Sequence, residues 1–236
     1  MKLLVSPADL REAAVVARSG ADILDLKNPA EGSLGANFPW VLAAVIRRLR
    51  RPGLEFSAAI GDLGFQPGTA ALAAHAAASL GADYVKAGLY GVKDLRRALP
   101  LAAAVVKGVR TGRPRARAVI AGYADWRRFG GLAPLDLVRA ARKAGAGLVM
   151  LDTALKDGRS LFDNMTHREL ERFLAAARKA GLGTALAGSV RAEHLPALAA
   201  LGPDIVGLRG AVCLGGDRRR RVCPRRLAEL RRVCGA

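Results

Sequence analysis

Short apolar runs and helix-like segments alternate along the chain from one end to the other. The first run, KLLVS (2–6), precedes PADLREAAVVARSG (7–20), which opens with Pro and closes with Gly, as helices often do. The pattern predicts strands at 2–6, 22–26, 55–60, 83–88, 117–123, 147–152, 183–188 and 204–209. It predicts helices at 7–20, 38–50, 68–81, 92–108, 133–144, 166–181, 191–201 and 224–236. Strict alternation of this kind predicts a parallel sheet with right-handed crossovers.

Eight strand–helix units in 236 residues favour one (β/α)8 TIM barrel over an open, doubly wound sheet. A chain of this length can bury a full core without disulfides or metals. No glycine-rich linker and no shift in composition divides it, so we expect residues 1–236 to form a single catalytic domain.

Four predicted strands carry polar residues at equivalent positions, which becomes visible when the segments are aligned on a shared glycine. The aligned segments are SGADILDLK (19–27), LGADYVKAG (80–88), AGAGLVMLD (144–152) and LGPDIVGLR (201–209), from strands 2, 4, 6 and 8. Alternate strands of such a barrel contribute side chains to common layers. Seven residues after the glycine come Lys27, Gly88, Asp152 and Arg209. We expect Asp25 and Lys86 in one layer, and Lys27, Asp152 and Arg209 in the next layer toward the C-terminal mouth.

Lysines at the strand ends of a barrel point to imine chemistry. A lysine inside a closed barrel is costly unless it is paired or deprotonated, and clustered ammonium groups lower one another's pKa. A neutral lysine attacks carbonyls and forms a Schiff base, which then acts as an electron sink. Lys27, Lys86 and Lys156 are the candidates, with Asp25 and Asp152 to orient them or move protons. The alternative is a set of structural ion pairs that caps the barrel.

The loops after strands 7 and 8 are candidates for a phosphate site. In many TIM barrels these loops hold a phosphate through backbone N–H groups. Gly188 and Ser189 in LAGSV (186–190) and Gly210 in GLRGAV (207–212) allow a close approach of the backbone, and Arg209 adds positive charge. Glycine is common in such loops, so each turn taken alone is weak evidence.

Two further residues are possible members of the site. Asp62 follows strand 3 and Tyr90 follows strand 4, and each is open to a second interpretation as a loop-packing residue. The sequence has no clustered His or Cys pair, no GxGxxG and no Walker A pattern, so we expect neither a metal nor another cofactor.

The net charge is +18, from 8 Lys and 30 Arg against 20 Asp and Glu. This charge has two interpretations: the protein attracts anions, or it has a solvated surface that is rich in arginine. The anions would be phosphorylated metabolites or nucleic acid, but no interleaved aromatic–basic pattern supports nucleic acid. Three cysteines near the C-terminus form no disulfide framework, and neither a secretory segment nor an apolar membrane span is present. We expect a cytoplasmic protein with no membrane or nucleic-acid partner.

Several motifs together resemble those of the (5-formylfuran-3-yl)methyl phosphate synthases, also called 4-(hydroxymethyl)-2-furancarboxaldehyde-phosphate synthases. They are DLKNPAEGSLGANFPW (25–40), YVKAGLYGVK (84–93), AGYAD (121–125), MLDTALKDG (150–158), LAGS (186–189) and GLRGAVCLGGDR (207–218). The resemblance runs over nearly the whole chain and implies a TIM barrel similar to class I aldolases. In this family the product is the furan precursor of methanofuran or of a related one-carbon carrier.

The resemblance implies that two molecules of glyceraldehyde 3-phosphate condense, with loss of one phosphate and water. It implies that Lys27 forms the Schiff base, that Lys86 is an acid/base partner, and that Asp25, Asp152 and Lys156 assist. The motif match alone leaves open which lysine forms the imine, and Lys27 is preferred because it lies nearest the mouth. We also expect a homo-oligomer. The alternatives are a class I aldolase for another phosphorylated sugar and a basic nucleic-acid-binding barrel.

Overall fold

The computed structural model describes residues 1–234. Eight parallel strands close into a barrel in sequence order, and β1 pairs with both β2 and β8. The strands are β1 Lys2–Val5, β2 Ile23–Leu26, β3 Glu55–Asp62, β4 Tyr84–Gly88, β5 Arg117–Tyr123, β6 Leu148–Asp152, β7 Gly183–Leu186 and β8 Ile205–Leu208. The helices are α1 Leu10–Arg18, α2 Pro39–Leu49, α3 Pro67–Ser79, α4 Leu95–Gly112, α5 Pro134–Ala144, α6 Leu161–Asn164, α7 His167–Lys179, α8 Leu195–Leu201 and α9 Pro224–Val233. The predicted (β/α)8 TIM barrel is confirmed.

The differences from the predicted elements have local causes. Helix α1 begins three residues later than predicted because the Asp9 side chain accepts the backbone N–H of Glu12 and caps the helix there. The unpredicted α6 is a single turn, which Ser160 and Asp163 stabilise through a reciprocal capping box. Residues 235 and 236 of the predicted last helix lie outside the described residues.

The inward-facing side chains of the barrel are mostly apolar. Alternation along the strands sends one set of side chains inward and the other set outward against the helices. The inward set includes Leu4, Ile23, Ala59, Tyr84, Val119, Ala121, Leu148, Met150, Ala185, Ala187 and Ile205. Polar side chains enter the interior toward the C-terminal mouth, where the loops that follow the strands converge. No helix in the described part of the chain combines the length and the apolar character that crossing a membrane requires.

Helices α3 and α4 pack at very short range because small residues face one another. A Cβ placed on Gly108 of α4 would overlap the carbonyl oxygen of Ala71 on α3 and lie 3.1 Å from its carbonyl carbon. Since both obstructing atoms belong to the backbone, neither can rotate away.

Replacement of this glycine is expected to destabilise the protein. Gly108→Ala should lower the free energy of unfolding by about 1–3 kcal/mol, because the added methyl group forces the two helices apart. Gly68→Ala on α3 is the matched control, since nothing lies within 4 Å of its Cβ position, and should be neutral or stabilise by up to about 1 kcal/mol. Denaturant unfolding measures both variants. Equal effects would show that the helix contact is not as close as described.

Candidate active site

A buried ion pair lies at the base of the mouth. Lys86 Nζ on β4 is 2.6 Å from Asp25 Oδ1 on β2, and their side chains are 1% and 0% exposed. Ser6 Oγ donates to the other oxygen of Asp25 at 2.9 Å. The two residues therefore meet in one layer, as predicted from their equivalent strand positions.

Burial and neighbouring charges oppose each other in this pair. Burial would raise the pKa of Asp25, but the ammonium groups of Lys86 and Lys27 outweigh it and hold that pKa below the usual value. Burial lowers the pKa of Lys86, and Lys27 adds to that, while Asp25 opposes the change. Lys86 is thus easier to deprotonate than a lysine in water, which suits a base.

A second cluster lies one layer higher. Asp152 at the end of β6 accepts from Lys156 Nζ at 2.8 Å and lies 4.0 Å from Lys27 Nζ. Lys156 also donates to Thr153 Oγ1 at 3.1 Å. The Lys27 side chain is 11% exposed, so it is the more accessible of the two lysines that the strand alignment placed inside the barrel. Lys27 and Asp152 therefore share the mouth layer, as expected.

Asp152 is held in its anionic form. Its burial would raise its pKa, but Lys156, Lys27 and a backbone N–H from Thr153 together lower that pKa far below the usual range. Burial lowers the pKa of Lys156, and Lys27 acts in the same direction, against the attraction of Asp152. A carboxylate fixed between two lysines can orient a reacting amine and stabilise an iminium cation.

Acid is expected to destabilise the protein through Asp25 and Asp152. Both have folded pKa values below the value of about 4 of an unfolded aspartate, so the unfolded chain binds more protons. Their contribution to stability is full above about pH 4 and falls as the pH drops toward the lowered folded values. Asp152→Asn removes one contribution, so denaturation between about pH 6 and about pH 2 should show a shallower decline for the variant. Parallel curves for the two proteins would contradict this assignment.

A cavity of about 700 Å³ opens at the C-terminal mouth and joins the two predicted groups of residues. It is lined by Asp25, Lys27, Asp152 and Lys156 of the first group, and by Gly188, Ser189, Arg209 and Gly210 of the second. Lys86 lies outside this lining and reaches the cavity through Asp25. Within residues 1–234, no three His, Cys, Asp or Glu side chains are grouped so as to hold a metal ion.

The turn after β7 has an unusual backbone. Ser189 is the one non-glycine residue among positions 1–234 with a positive φ, at 47°, and it follows Gly188 at 107°. A Cβ on Gly188 would lie 2.8 Å from the backbone nitrogen of Thr153, so glycine is required for close packing there. Strain of this kind is often retained where backbone groups face a ligand, which fits the predicted phosphate site.

Arg209 is placed differently from the expectation. It lies just beyond β8, and its guanidinium turns toward α1, where it pairs with Glu12 and donates to the carbonyl oxygen of Ser6 at 3.1 Å. Other guanidinium N–H groups donate to the carbonyl oxygens of Arg218 and Arg220, at 3.1 and 3.0 Å. Arg209 therefore does not join Lys27 and Asp152 in the mouth layer, and its role as a phosphate ligand stays a prediction.

The cavity wall also contains cationic residues that the sequence did not single out. They are Arg191, Arg218, Arg219 and Arg226. Two of them begin the basic run RRRR at 218–221. The run lies in the segment between β8 and α9, and the loop after strand 8 of a TIM barrel is a frequent part of a phosphate site.

The β2–α2 loop (27–38) crosses the mouth. Ser33 Oγ donates to the carbonyl oxygen of Thr153 at 2.9 Å, and Gly61 N–H donates to the carbonyl oxygen of Leu34 at 3.0 Å. Leu34 is fully buried against the apolar interior of the barrel. The loop that begins with Lys27 is thus fixed to both β3 and the segment after β6, which limits the motion of its backbone.

The two possible site residues, Asp62 and Tyr90, lie across the mouth from the loops after β7 and β8. Asp62 accepts a hydrogen bond from the hydroxyl of Tyr123 at the end of β5. Tyr90 is 41% exposed and packs its ring against Tyr123 and Phe129, with centroid separations of 6.0 and 4.8 Å. Tyr90 therefore contributes to an aromatic cluster, whereas Asp62 presents a carboxyl group.

Sequence relatives of the chain share one name. The profile described as 4-HFC-P synthase matches residues 3–231. The chain is 50% identical over 215 residues to the (5-formylfuran-3-yl)methyl phosphate synthase of Archaeoglobus fulgidus, covering 91% of this chain and 92% of the relative. It is 49% identical over 235 residues to the protein of that name from Methanocaldococcus jannaschii, covering 99% of this chain and 100% of the relative.

Solved structures with the same fold are more distant in sequence. The 3-hexulose-6-phosphate synthase of Salmonella typhimurium aligns with a TM-score of 0.66 at 20% identity, covering 98% of both chains. KGPDC from Streptococcus mutans aligns with a TM-score of 0.68 at 14% identity, covering 99% of this chain and 96% of the other. These two likenesses concern the barrel fold. Because the family profile spans nearly the whole sequence and the named relatives are about half identical to it, the chain belongs to the 4-HFC-P synthase family.

Proposed function

We propose that this protein makes (5-formylfuran-3-yl)methyl phosphate from two molecules of glyceraldehyde 3-phosphate, through an imine on Lys27. The product would serve the biosynthesis of methanofuran or of a related one-carbon carrier. The observation that carries the proposal is the position of Lys27, which lines the mouth cavity beside Asp152 and above a second, fully buried lysine. Membership of the family and the name shared by its relatives support the choice of product.

The overall reaction balances without a redox partner. Two triose phosphates, together C6H14O12P2, equal the furan phosphate C6H7O6P plus one phosphoric acid and two waters. If each triose stays intact, the branched product requires a bond from C3 of one triose, which loses its phosphate, to C2 of the other. Both trioses lose their C2 hydrogen, and the triose that loses its phosphate also loses one C3 hydrogen, so three carbon-bound protons leave in all.

The two clusters of the site supply the groups that the proton transfers require. An imine on Lys27 makes the C2 hydrogen of the bound triose acidic, because the iminium nitrogen accepts the electron pair. Removal of that proton allows the C3–O bond to break and phosphate to leave. Lys86 or Asp25 takes this proton, because the two residues lie together below the imine. Asp152 and Lys156 stabilise the iminium and move protons at the level of the mouth.

The phosphate that the product retains would be held by the loops after β7 and β8. The backbone of Gly188, Ser189 and Gly210 offers N–H groups to an anion, and Arg218 and Arg219 contribute positive charge nearby. The cytoplasmic setting and the homo-oligomeric assembly expected from the sequence are parts of the same proposal.

Incubation of the purified protein with glyceraldehyde 3-phosphate alone tests this proposal. We expect inorganic phosphate and a furan aldehyde, seen by its ultraviolet absorbance, in a 1:1 ratio. An aldolase for another phosphorylated sugar would release neither from this substrate. Absence of the furan from a folded, imine-forming protein would overturn the proposed function.

A further inference from the structure

A bulge in β3 turns Asp62 toward the mouth of the barrel. Ala59 pairs with Lys86, but the next pairing joins Asp62 to Gly88, so β3 holds one residue more than β4 between these points. Gly61, at the irregularity, has a φ of 104°. Without the extra residue, alternation would have placed residue 61 on the inner face. The bulge gives that inward position to Asp62 instead.

The Asp62 carboxyl and the Tyr123 hydroxyl fill a gap in the mouth layer. Gly88 occupies the strand position equivalent to Lys27 and Asp152, yet it has no side chain. A Cβ on Gly88 would overlap Asp62 Oδ1 and the Tyr123 hydroxyl oxygen. These two groups therefore stand where a side chain from β4 would otherwise project, in the same layer as the imine lysine and its carboxylate.

The pair is held so that one carboxyl oxygen remains available. Tyr123 is 3% exposed and donates to Oδ1, while its ring packs edge-on against Tyr90 and Phe129, each with a centroid separation of 6.0 Å. On the other side, a Cβ on Gly32 of the β2–α2 loop would lie 3.6 Å from Oδ2. Because Gly32 lacks a side chain, the loop leaves room beside Oδ2, and Asp62 as a whole stays partly exposed.

The charges around Asp62 differ from those around the other two mouth carboxylates. Burial raises the pKa of Asp62, and the negative charge of Asp152 on β6 adds to this. The hydrogen bond from Tyr123 on β5 and the backbone groups of Leu34 and Tyr90 oppose the change without reversing it. The pKa values of Asp25 and Asp152 are instead lowered. Carboxyl groups whose pKa values are driven apart in one site can divide acid and base roles.

We propose that Asp62 is the general acid for the loss of water that completes the furan ring, and that Tyr123 is a positioning residue for its carboxyl group. This rests on the proposed function. In each dehydration the acid protonates a hydroxyl oxygen and the C–O bond breaks with its electron pair on oxygen. Water leaves, and the electrons of a neighbouring C–H bond form the C=C bond. The released proton restores the carboxylic acid, so the step needs no oxidant or reductant.

The test uses the two products separately, because phosphate leaves by elimination and the furan appears only after dehydration. In Asp62→Asn, furan formation should fall roughly 100-fold while phosphate release falls far less, so the phosphate-to-furan ratio rises well above one. Tyr123→Phe should change the ratio in the same direction by a smaller factor, roughly tenfold. Tyr123→Phe tests the proposal independently if Asp62→Asn disturbs folding. Asp62→Glu, which keeps a carboxyl group, should bring the phosphate-to-furan ratio part of the way back to one.

Tyr84→Phe is the matched control, since Tyr84 is a buried tyrosine at the opposite end of the barrel that also donates to a carboxylate, Glu55, at 3.2 Å. Its ratio should stay at one. A ratio of one in Asp62→Asn, whether both rates fall together or neither falls, would overturn the acid role. Failure of the proposed function is distinguishable, because the wild-type protein itself would then release no furan.

Discussion

Lys27→Ala is expected to abolish furan formation, with a fall in kcat of at least roughly 10³-fold. The imine supplies the electron sink for both proton removal and phosphate loss, and a neutral methyl group cannot replace it. Lys27→Arg should be equally inactive, because a guanidinium keeps the charge next to Asp152 but forms no imine. Furan absorbance and phosphate release from glyceraldehyde 3-phosphate measure both variants.

Lys93→Ala is the control for this experiment, since Lys93 is an exposed lysine in the connection between β4 and α4. Its rates should equal those of the wild-type protein. Furan formation by Lys27→Ala at a substantial fraction of the wild-type rate would assign the imine to another lysine.

Asp25→Ala is expected to be the most destabilising of the substitutions considered. It leaves the ammonium of Lys86 buried and unpaired inside the barrel, which costs about 3–5 kcal/mol when a buried pair loses one partner. The double variant Asp25→Leu, Lys86→Met should regain most of this stability while remaining inactive, because apolar side chains of similar size satisfy the same space. Denaturant unfolding of Asp25→Leu, of Lys86→Met and of the double variant gives the coupling energy.

An exposed pair provides the comparison for the buried one. Asp136 and Arg139 on α5 form an ion pair at 2.8 Å with side chains 34% and 67% exposed. Asp136→Ala should cost less than about 1 kcal/mol, because water replaces the lost partner. A cost for Asp25→Ala as small as that for Asp136→Ala would mean that Lys86 is neutral or hydrated in the folded protein.

The layers of the barrel could be predicted from the sequence because they follow from two periodicities. Strand alternation and the regular spacing of βα units placed Asp25 opposite Lys86 and Lys27 beside Asp152, and the structure brings both pairs into contact. Such predictions need no knowledge of loops, since the closed sheet fixes which strand positions share a layer.

The remaining features depend on interactions that no local pattern contains. The bulge that turns Asp62 inward is a one-residue change in register, and only Gly61 hints at it in the sequence. Arg209 leaves the mouth layer because Glu12, 197 residues away, pairs with it. Burial of Leu34 depends on a loop that reaches across the barrel to a carbonyl oxygen 120 residues from Ser33. Contacts of this range arise from the folded shape and not from the spacing of residues.

The most direct test of the account is to identify the lysine that forms the imine. Wild-type protein is treated with glyceraldehyde 3-phosphate and borohydride, which reduces an imine to a stable amine, and the modified peptide is located by mass spectrometry. We predict one triose adduct, on Lys27. An adduct on Lys86 or Lys156, or no adduct from a protein that still forms the furan, would contradict it.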